Sequence, residues 1–275
     1  MLETTLQTLV TYNPQGVNLD TPIEELENIM RQIAVRHLPV IDDCDCVIGM
    51  VSERDIASAR YSAVMAASQI PPRPIRPLSV DQIMTRQVLT VEQHESPDIA
   101  LRAMVAHAFH SVPVTDAGRL AGMITSTDFL REMSYGNWAG HNELVASRMS
   151  PTGETVESEV ILPRVMEVAE RYNQEFVVVV RRNRPLGILS RTALRQALCC
   201  GRTPRELAEL QSTSVRLALP HLPLIPAETT LARAASMMLE HRARALPVVD
   251  RSRVLIGMLL EDEILKTMVE RLDPR

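Results

Sequence analysis

Aromatic residues are scarce: three Phe, four Tyr and one Trp make up only 3% of the 275 residues. The core must therefore be built from Val, Ile, Leu, Met and Ala. A surface that stacks the bases of single-stranded nucleic acid is also excluded. No apolar run approaches the about eighteen residues of a membrane-spanning helix. The N-terminal MLETTLQTLV lacks the basic start of a signal peptide. A cytoplasmic protein with no membrane contact is expected. Basic charge is not in excess, with 29 Lys and Arg against 34 Asp and Glu, so no stripe for duplex nucleic acid is expected either. The four cysteines form two tight pairs, Cys44/Cys46 and Cys199/Cys200. Such spacing rarely meets disulfide geometry and suits reduced thiols, and no second ligand pair completes a zinc site, so no metal is expected. GxSxG, GxxxxGK[ST], HExxH and a strand-following GxGxxG are all missing, and no enzymatic activity is expected.

Apolar residues are present at 45%, enough for a real core, and they are organised by repetition. GMVSERDIAS at 49–58 returns as GMITSTDFLR at 122–131. Related runs are FVVVVRRNRPLGILS at 176–190 and ALPVVDRSRVLIGMLL at 245–260. The anchors Gly49, Gly122, Gly187 and Gly257 are spaced by 73, 65 and 70 residues. A period of this length suits a small α/β unit that must pair to bury its core. Helical spacing precedes each anchor: Ile23, Leu26, Ile29, Met30 and Ile33; Leu101, Met104, Val105 and Ala108; Leu162, Val165, Met166 and Ala169; Leu231, Ala234, Ala235 and Met238. Two short β runs then flank a polar turn (DDCD, DAGR, RRNR, DRSR), which reads as a hairpin, and a second helix follows. Val88–Val91 suggests a leading strand. The expected fold class is α/β (α+β), with four β-α-β-β-α repeats paired into two modules.

The expected division is residues 1–140 and 141–275. The first module holds repeats at about 1–66 and 78–138, joined by a proline-rich linker at 67–77. The second holds repeats at about 141–205 and 206–275. Polar SYGNWAGHNEL at 134–144 marks the boundary.

"LPVID…GMVSERDI" and "VPVTD…GMITSTDF", with "IMT" at Ile83–Thr85, resemble the cystathionine-β-synthase (CBS) domain. Two such domains pair into a Bateman module, and the resemblance covers nearly the whole chain as four repeats. It is weakest in the third, where Val178 replaces the Pro of the LPV run. The resemblance implies an adenosine-containing ligand (AMP, ADP or ATP, sometimes S-adenosylmethionine) in the clefts between paired repeats. It also implies a regulatory role, usually as a homodimer, with a possible partner enzyme or transporter.

A Ser/Thr-x-x-Asp segment that follows a strand and opens a helix offers free N–H groups and a favourable dipole to an anion. Its carboxylate can accept from two neighbouring ribose hydroxyls. The resemblance carries ribose and phosphate contacts onto Ser52/Asp55 and Thr125/Asp128. The same four residues also spell a capping box, which needs no ligand. Repeat three has Ser190-Arg191-Thr192-Ala193, and repeat four has Leu260-Glu261-Asp262-Glu263, with Glu263 suited to a helix start. Nucleotide chemistry is therefore expected in the N-terminal module. By resemblance the adenine slot falls on Met84, Thr85, Val88, Val112 and Pro113 for the second repeat. For the first it falls on Val10–Tyr12, Leu38 and Pro39. Strand-edge core is the plainer role for each of these. Phosphate partners are Arg36 and His37, then His110, Arg54 and Arg131. The alternatives are a ligand-free scaffold for dimerisation or partner docking, and an S-adenosylmethionine sensor.

Overall fold

A computed structural model describes residues 6–67, 78–199 and 223–272. The proline-rich linker and Cys200 lie outside them. The chain forms two compact units, one through Asp128 and one from Phe129.

The first unit begins with α1 (Leu6–Leu9) and β1 (Thr11–Tyr12). Repeat one is α2 (Ile23–Gln32), β2 (His37–Ile41), β3 (Val47–Ser52) and α3 (Glu53–Ala67). After the short α4 (Val80–Ile83), repeat two is β4 (Val91–Glu92), α5 (Pro97–His107), β5 (Ser111–Asp116), β6 (Arg119–Thr125) and α6 (Ser126–Ser134), the helix within which the two units divide. The second unit has β7 (Thr155–Glu157), α7 (Leu162–Arg171), β8 (Phe176–Arg181), β9 (Arg184–Ser190) and α8 (Arg191–Cys199). Repeat four is β10 (Ile225–Pro226), α9 (Leu231–His241), β11 (Ala245–Val249), β12 (Leu255–Leu260) and α10 (Glu261–Glu270).

Each repeat thus has the expected β-α-β-β-α order, including the third. The expected leading strand at Val88–Val91 shrinks to Val91–Glu92, and in repeat one to a single parallel bridge, Val17 to Val40. The apolar helical stripes are buried: Ile23, Leu26 and Met30 in α2, and Leu231, Ala234, Ala235 and Met238 in α9. Ile33 is instead 43% exposed, because α2 ends one residue before it.

All four hairpins share one register. Val40, Val114, Val179 and Val248 lie opposite Gly49, Gly122, Gly187 and Gly257, and a bulge follows each pair. The glycines are needed where another backbone passes. A Cβ on Gly49 would sit 2.7 Å from the Met84 sulfur and 3.1 Å from the Thr85 carbonyl oxygen. Gly122 meets Val10 and the Thr11 carbonyl in the same way, and Gly257 meets Met149 and the Ser150 carbonyl.

The segments leading into repeats one, two and three are therefore each bound to that repeat's partner. Thr11 and Tyr12 pair with Met123 and Gly122 of repeat two. Thr85 and Met50 of repeat one exchange hydrogen bonds of 2.8 and 2.9 Å, and Ser150 and Met258 of repeat four exchange bonds of 2.9 and 2.8 Å. The hairpins also touch: Leu120 donates to the Asp45 carbonyl, and Leu255 donates to the Asn183 carbonyl. Between repeats three and four, Val178, Val180, Ile188, Ala245 and Met258 form a shared core.

Candidate functional site at the helix starts

At the start of α3, Asp55 turns back on Ser52. Its Oδ2 accepts from the Ser52 backbone N–H at 2.8 Å and from the hydroxyl at 2.6 Å. At α6, Asp128 Oδ2 accepts from the Thr125 N–H at 2.9 Å and from the hydroxyl at 2.8 Å. Both boxes satisfy a helix-start donor that would otherwise be orphaned. Capping is thus realised, and it uses one oxygen of each carboxylate. Asp55 is half-buried, and its Oδ1 takes no hydrogen bond among the described residues. Asp128 is only 7% exposed and takes part in further interactions.

The sheet register places the phosphate candidates. His37 lies opposite Ser52, and Ser111 lies opposite Thr125. The Arg36 carbonyl accepts from Glu53 N–H at 3.0 Å, and the His110 carbonyl accepts from Ser126 N–H at 3.0 Å. Strand start and helix start are thus held side by side. Arg36 is exposed, whereas His37 and His110 are half-buried and engaged with neighbours. Arg54 and Arg131 are exposed and also engaged.

The adenine-slot residues divide differently from expectation. Met84 and Thr85, read as part of the second repeat's slot, lie on the first repeat: Thr85 pairs with Met50, and Met84 packs on the core around Leu38 and Val51. Likewise Val10–Tyr12, read as the first repeat's slot, borders the second repeat at Gly122. Both assignments to a repeat are corrected, because each leader crosses to the partner. Leu38 and Val112 are 2% and 0% exposed. Pro39 and Pro113 are also buried, and Val88 is half-buried. Leu38 and Val112 are core residues.

The second unit carries opposite charges at the positions that Arg36 and Glu53 hold in repeat one. In repeat three Arg191 N–H donates to the Glu175 carbonyl at 2.8 Å, and the two side chains approach to 3.5 Å. In repeat four Glu261 N–H donates to the Arg244 carbonyl at 2.9 Å. Their side chains pair at 2.9 Å, with the Glu261 side chain 4% exposed. The pair is reversed in sign between the two repeats. Sequence reading passed over Glu175 and Glu261; their signal is a charged residue just before the strand together with its opposite at the first helical position. Glu263, read as a helix-start residue, turns forward to Lys266 at 3.0 Å, and no side chain caps at Leu260. In repeat three the Ser190 hydroxyl accepts from Ala193 N–H at 3.1 Å.

Among the described residues no cluster of three His, Cys, Asp or Glu could hold a metal ion. Cys44, Cys46 and Cys199 are free thiols. No helix of the described residues is long and apolar enough to cross a membrane.

Paired repeats, with the leaders of repeats one, two and three laid on their partners, define a tandem-repeat α/β protein of two units. A family model described as the CBS domain matches residues 6–62, 80–135 and 215–270, more than half of the chain. The chain belongs to the CBS domain family. The crystal structure of protein MJ1225 from Methanocaldococcus jannaschii superposes with a TM-score of 0.76 at 19% identity, covering 96% of this chain and 99% of that one. An uncharacterized conserved protein from Pyrococcus horikoshii gives 0.66 at 17% identity, covering 96% and 100%. Both share the fold. Among curated relatives, inosine-5'-monophosphate dehydrogenase of Thermoplasma acidophilum is 24% identical over 177 residues, 63% of this chain and 31% of the dehydrogenase. The chain spans 21% to 32% of the length of the first four curated relatives it matches.

Proposed function

We propose that this is a regulatory protein that binds an adenosine-containing ligand (AMP, ADP or ATP) in its N-terminal module. The modules are residues 1–140 and 141–275. Binding shifts the population of two shapes, and a partner protein reads the difference. The available signal is the ligand's differential affinity, about 1–3 kcal/mol. The protein acts in the cytoplasm as a homodimer, and it has no chemistry of its own to perform.

The observation that carries the reading is the duplicated Ser/Thr-x-x-Asp helix start of the first two repeats, where Asp55 keeps one carboxylate oxygen uncommitted beside Ser52. That oxygen can accept from ribose hydroxyls while Oδ2 holds the cap. Arg36 and His37, at the adjoining strand start, supply charge for a phosphate. Met84 and Thr85, laid on repeat one, border the place where an adenine would enter.

A scaffold that binds no small molecule is the second reading. It is favoured by the capping bonds that Asp55 and Asp128 already make at their own helix starts, which need no ligand. Thermal unfolding with AMP, ADP, ATP and S-adenosylmethionine separates the two. A ligand at about one hundred times its Kd stabilises the folded state by about 2.7 kcal/mol, a rise of several degrees. A melting temperature unmoved by all four leaves the scaffold.

A further inference from the structure

The hairpin turns reverse their charge between the two units. In unit one the touching turns of repeats one and two carry Asp42, Asp43, Asp45 and Asp116 against Arg119. In unit two the touching turns of repeats three and four carry Arg181, Arg182, Arg184, Arg251 and Arg253 against Asp250. All of these residues are exposed. The turn frames are the same: Asp42 Oδ1 accepts from Cys44 and Cys46 N–H at 2.9 Å, and Asp250 Oδ1 accepts from Ser252 and Val254 N–H at 2.8 and 2.9 Å. Folding of the turns therefore needs only one aspartate in each unit. The other charges hold no turn together. Among the described residues the five arginines make one ion pair, Arg251 to Glu228 at 3.5 Å, with the Arg251 side chain 93% exposed.

We propose that the basic turn pair of the second unit docks on the acidic turn pair of the first unit in a second copy of this chain. Each chain carries both halves, so two copies arranged about a twofold axis make the contact twice and close. Arginine suits the role, because its guanidinium meets a carboxylate with two parallel hydrogen bonds. Leu186 and Ile256, two and three residues beyond their basic turns and 37% and 41% exposed, give the surface an apolar flank. This names the surface of the proposed homodimer and rests on that reading, but not on any ligand.

Sedimentation at about 0.01 M and about 1 M salt, where the screening length is about 30 Å and about 3 Å, tests it with two charge-reversed chains. One carries Arg184→Glu and Arg251→Glu, and the other Asp43→Arg and Asp116→Arg. None of these four residues holds a turn, and circular dichroism checks each fold. The expected result is a dimer at low salt that falls to the 30.7 kDa of one chain at high salt. Each variant alone is a monomer, and an equimolar mixture of the two, one acidic at both ends and one basic at both, dimerises again. A dimer that survives high salt and both reversals overturns the turn surface and leaves the homodimer standing. Monomers at every salt overturn both. Failure of the mixture to dimerise also overturns the turn surface.

Discussion

The two units share one frame and differ in what they place at the helix starts. In each, a leader crosses to the partner repeat over a glycine, a bulge follows the same Val–Gly pair, and one hairpin donates to the other's turn. Within that frame unit one carries Ser/Thr–Asp boxes, and unit two carries Glu175–Arg191 and Arg244–Glu261. The backbone bond from first helical residue to strand start is kept in all four repeats. Backbone contacts fix the fold, so the side chains at that seam are free to vary.

The largest effect is expected from breaking the internal pair of repeat four. Arg244→Ala strands a nearly buried Glu261 carboxylate, which costs about 3 kcal/mol. Replacing both partners, Arg244→Met with Glu261→Leu, is expected to recover most of that loss, because the desolvation cost disappears with the charges. Urea unfolding of the second unit compares them. A single variant as stable as the double would mean that the pair is effectively solvated.

Glycine substitutions probe what the units have in common. Gly49→Val and Gly257→Val each drive a side chain into the crossing leader, and overpacking of this kind costs about 1–3 kcal/mol. The two losses should be similar. A harmless Gly257→Val would break the equivalence of the leaders that the shared geometry asserts.

Much of the frame was readable from the chain. The glycine period, the hairpins around DDCD, DAGR, RRNR and DRSR, and the stripes of α7 and α9 depend on neighbours in sequence, so local pattern reveals them. The crossing of the leaders was not readable. Thr85 bonds to Met50 and Thr11 pairs with Met123 across more than thirty residues, and no local period records such a partner. The seam ion pairs were missed for the same reason: Glu175 and Arg191 look like surface charges until the hairpin brings them together. At the candidate site Asp55 and Asp128 were picked out by their motif. The share of each carboxylate spent on its own helix became visible only in the hydrogen bonds.

Acid distinguishes the units through their leaders. Leu231 N–H donates to the Glu143 carbonyl just as Ile23 N–H donates to the Leu78 carbonyl. At this equivalent position unit two has a charge and unit one an aliphatic residue. Glu143 accepts from Arg148 at 2.8 Å and from Arg271 at 2.9 Å. Burial pushes its carboxyl up, but these bonds and charges outweigh burial and hold it below the ordinary value of 4.5. A lowered folded value means that the stabilisation is present above the unfolded pKa and is lost as pH falls through the folded one. Hydrogen-exchange protection along 143–150, taken relative to the intrinsic exchange rate at each pH, should therefore fall on acidification while protection along 78–85 stays level. Glu143→Gln should cost about 1–2 kcal/mol at neutral pH and remove the pH dependence. Equal acid response of the two leaders would assign it to some other carboxylate.

The smallest change in stability, and the most telling one for function, is expected at Asp55. Asp55→Ala removes the acceptor for Ser52 and costs about 1 kcal/mol, the scale of a lost cap. Asp55→Asn keeps an amide oxygen for the Ser52 N–H, so its stability should stay close to that of the parent. The amide puts a donor in place of the second carboxylate oxygen, however, and a group that must accept two ribose hydroxyls loses that ability. Calorimetry with the adenosine compound that raises the melting temperature should show affinity falling about tenfold or more in Asp55→Asn, while thermal unfolding without ligand barely moves. In the second unit Ala193 already stands at the matching position, so Ala193→Asp should leave affinity unchanged while Arg191 and Glu175 fill the seam. If the asparagine variant binds as the parent does, the carboxylate of Asp55 serves its helix alone, and the difference between the units is one of capping chemistry rather than of ligand recognition.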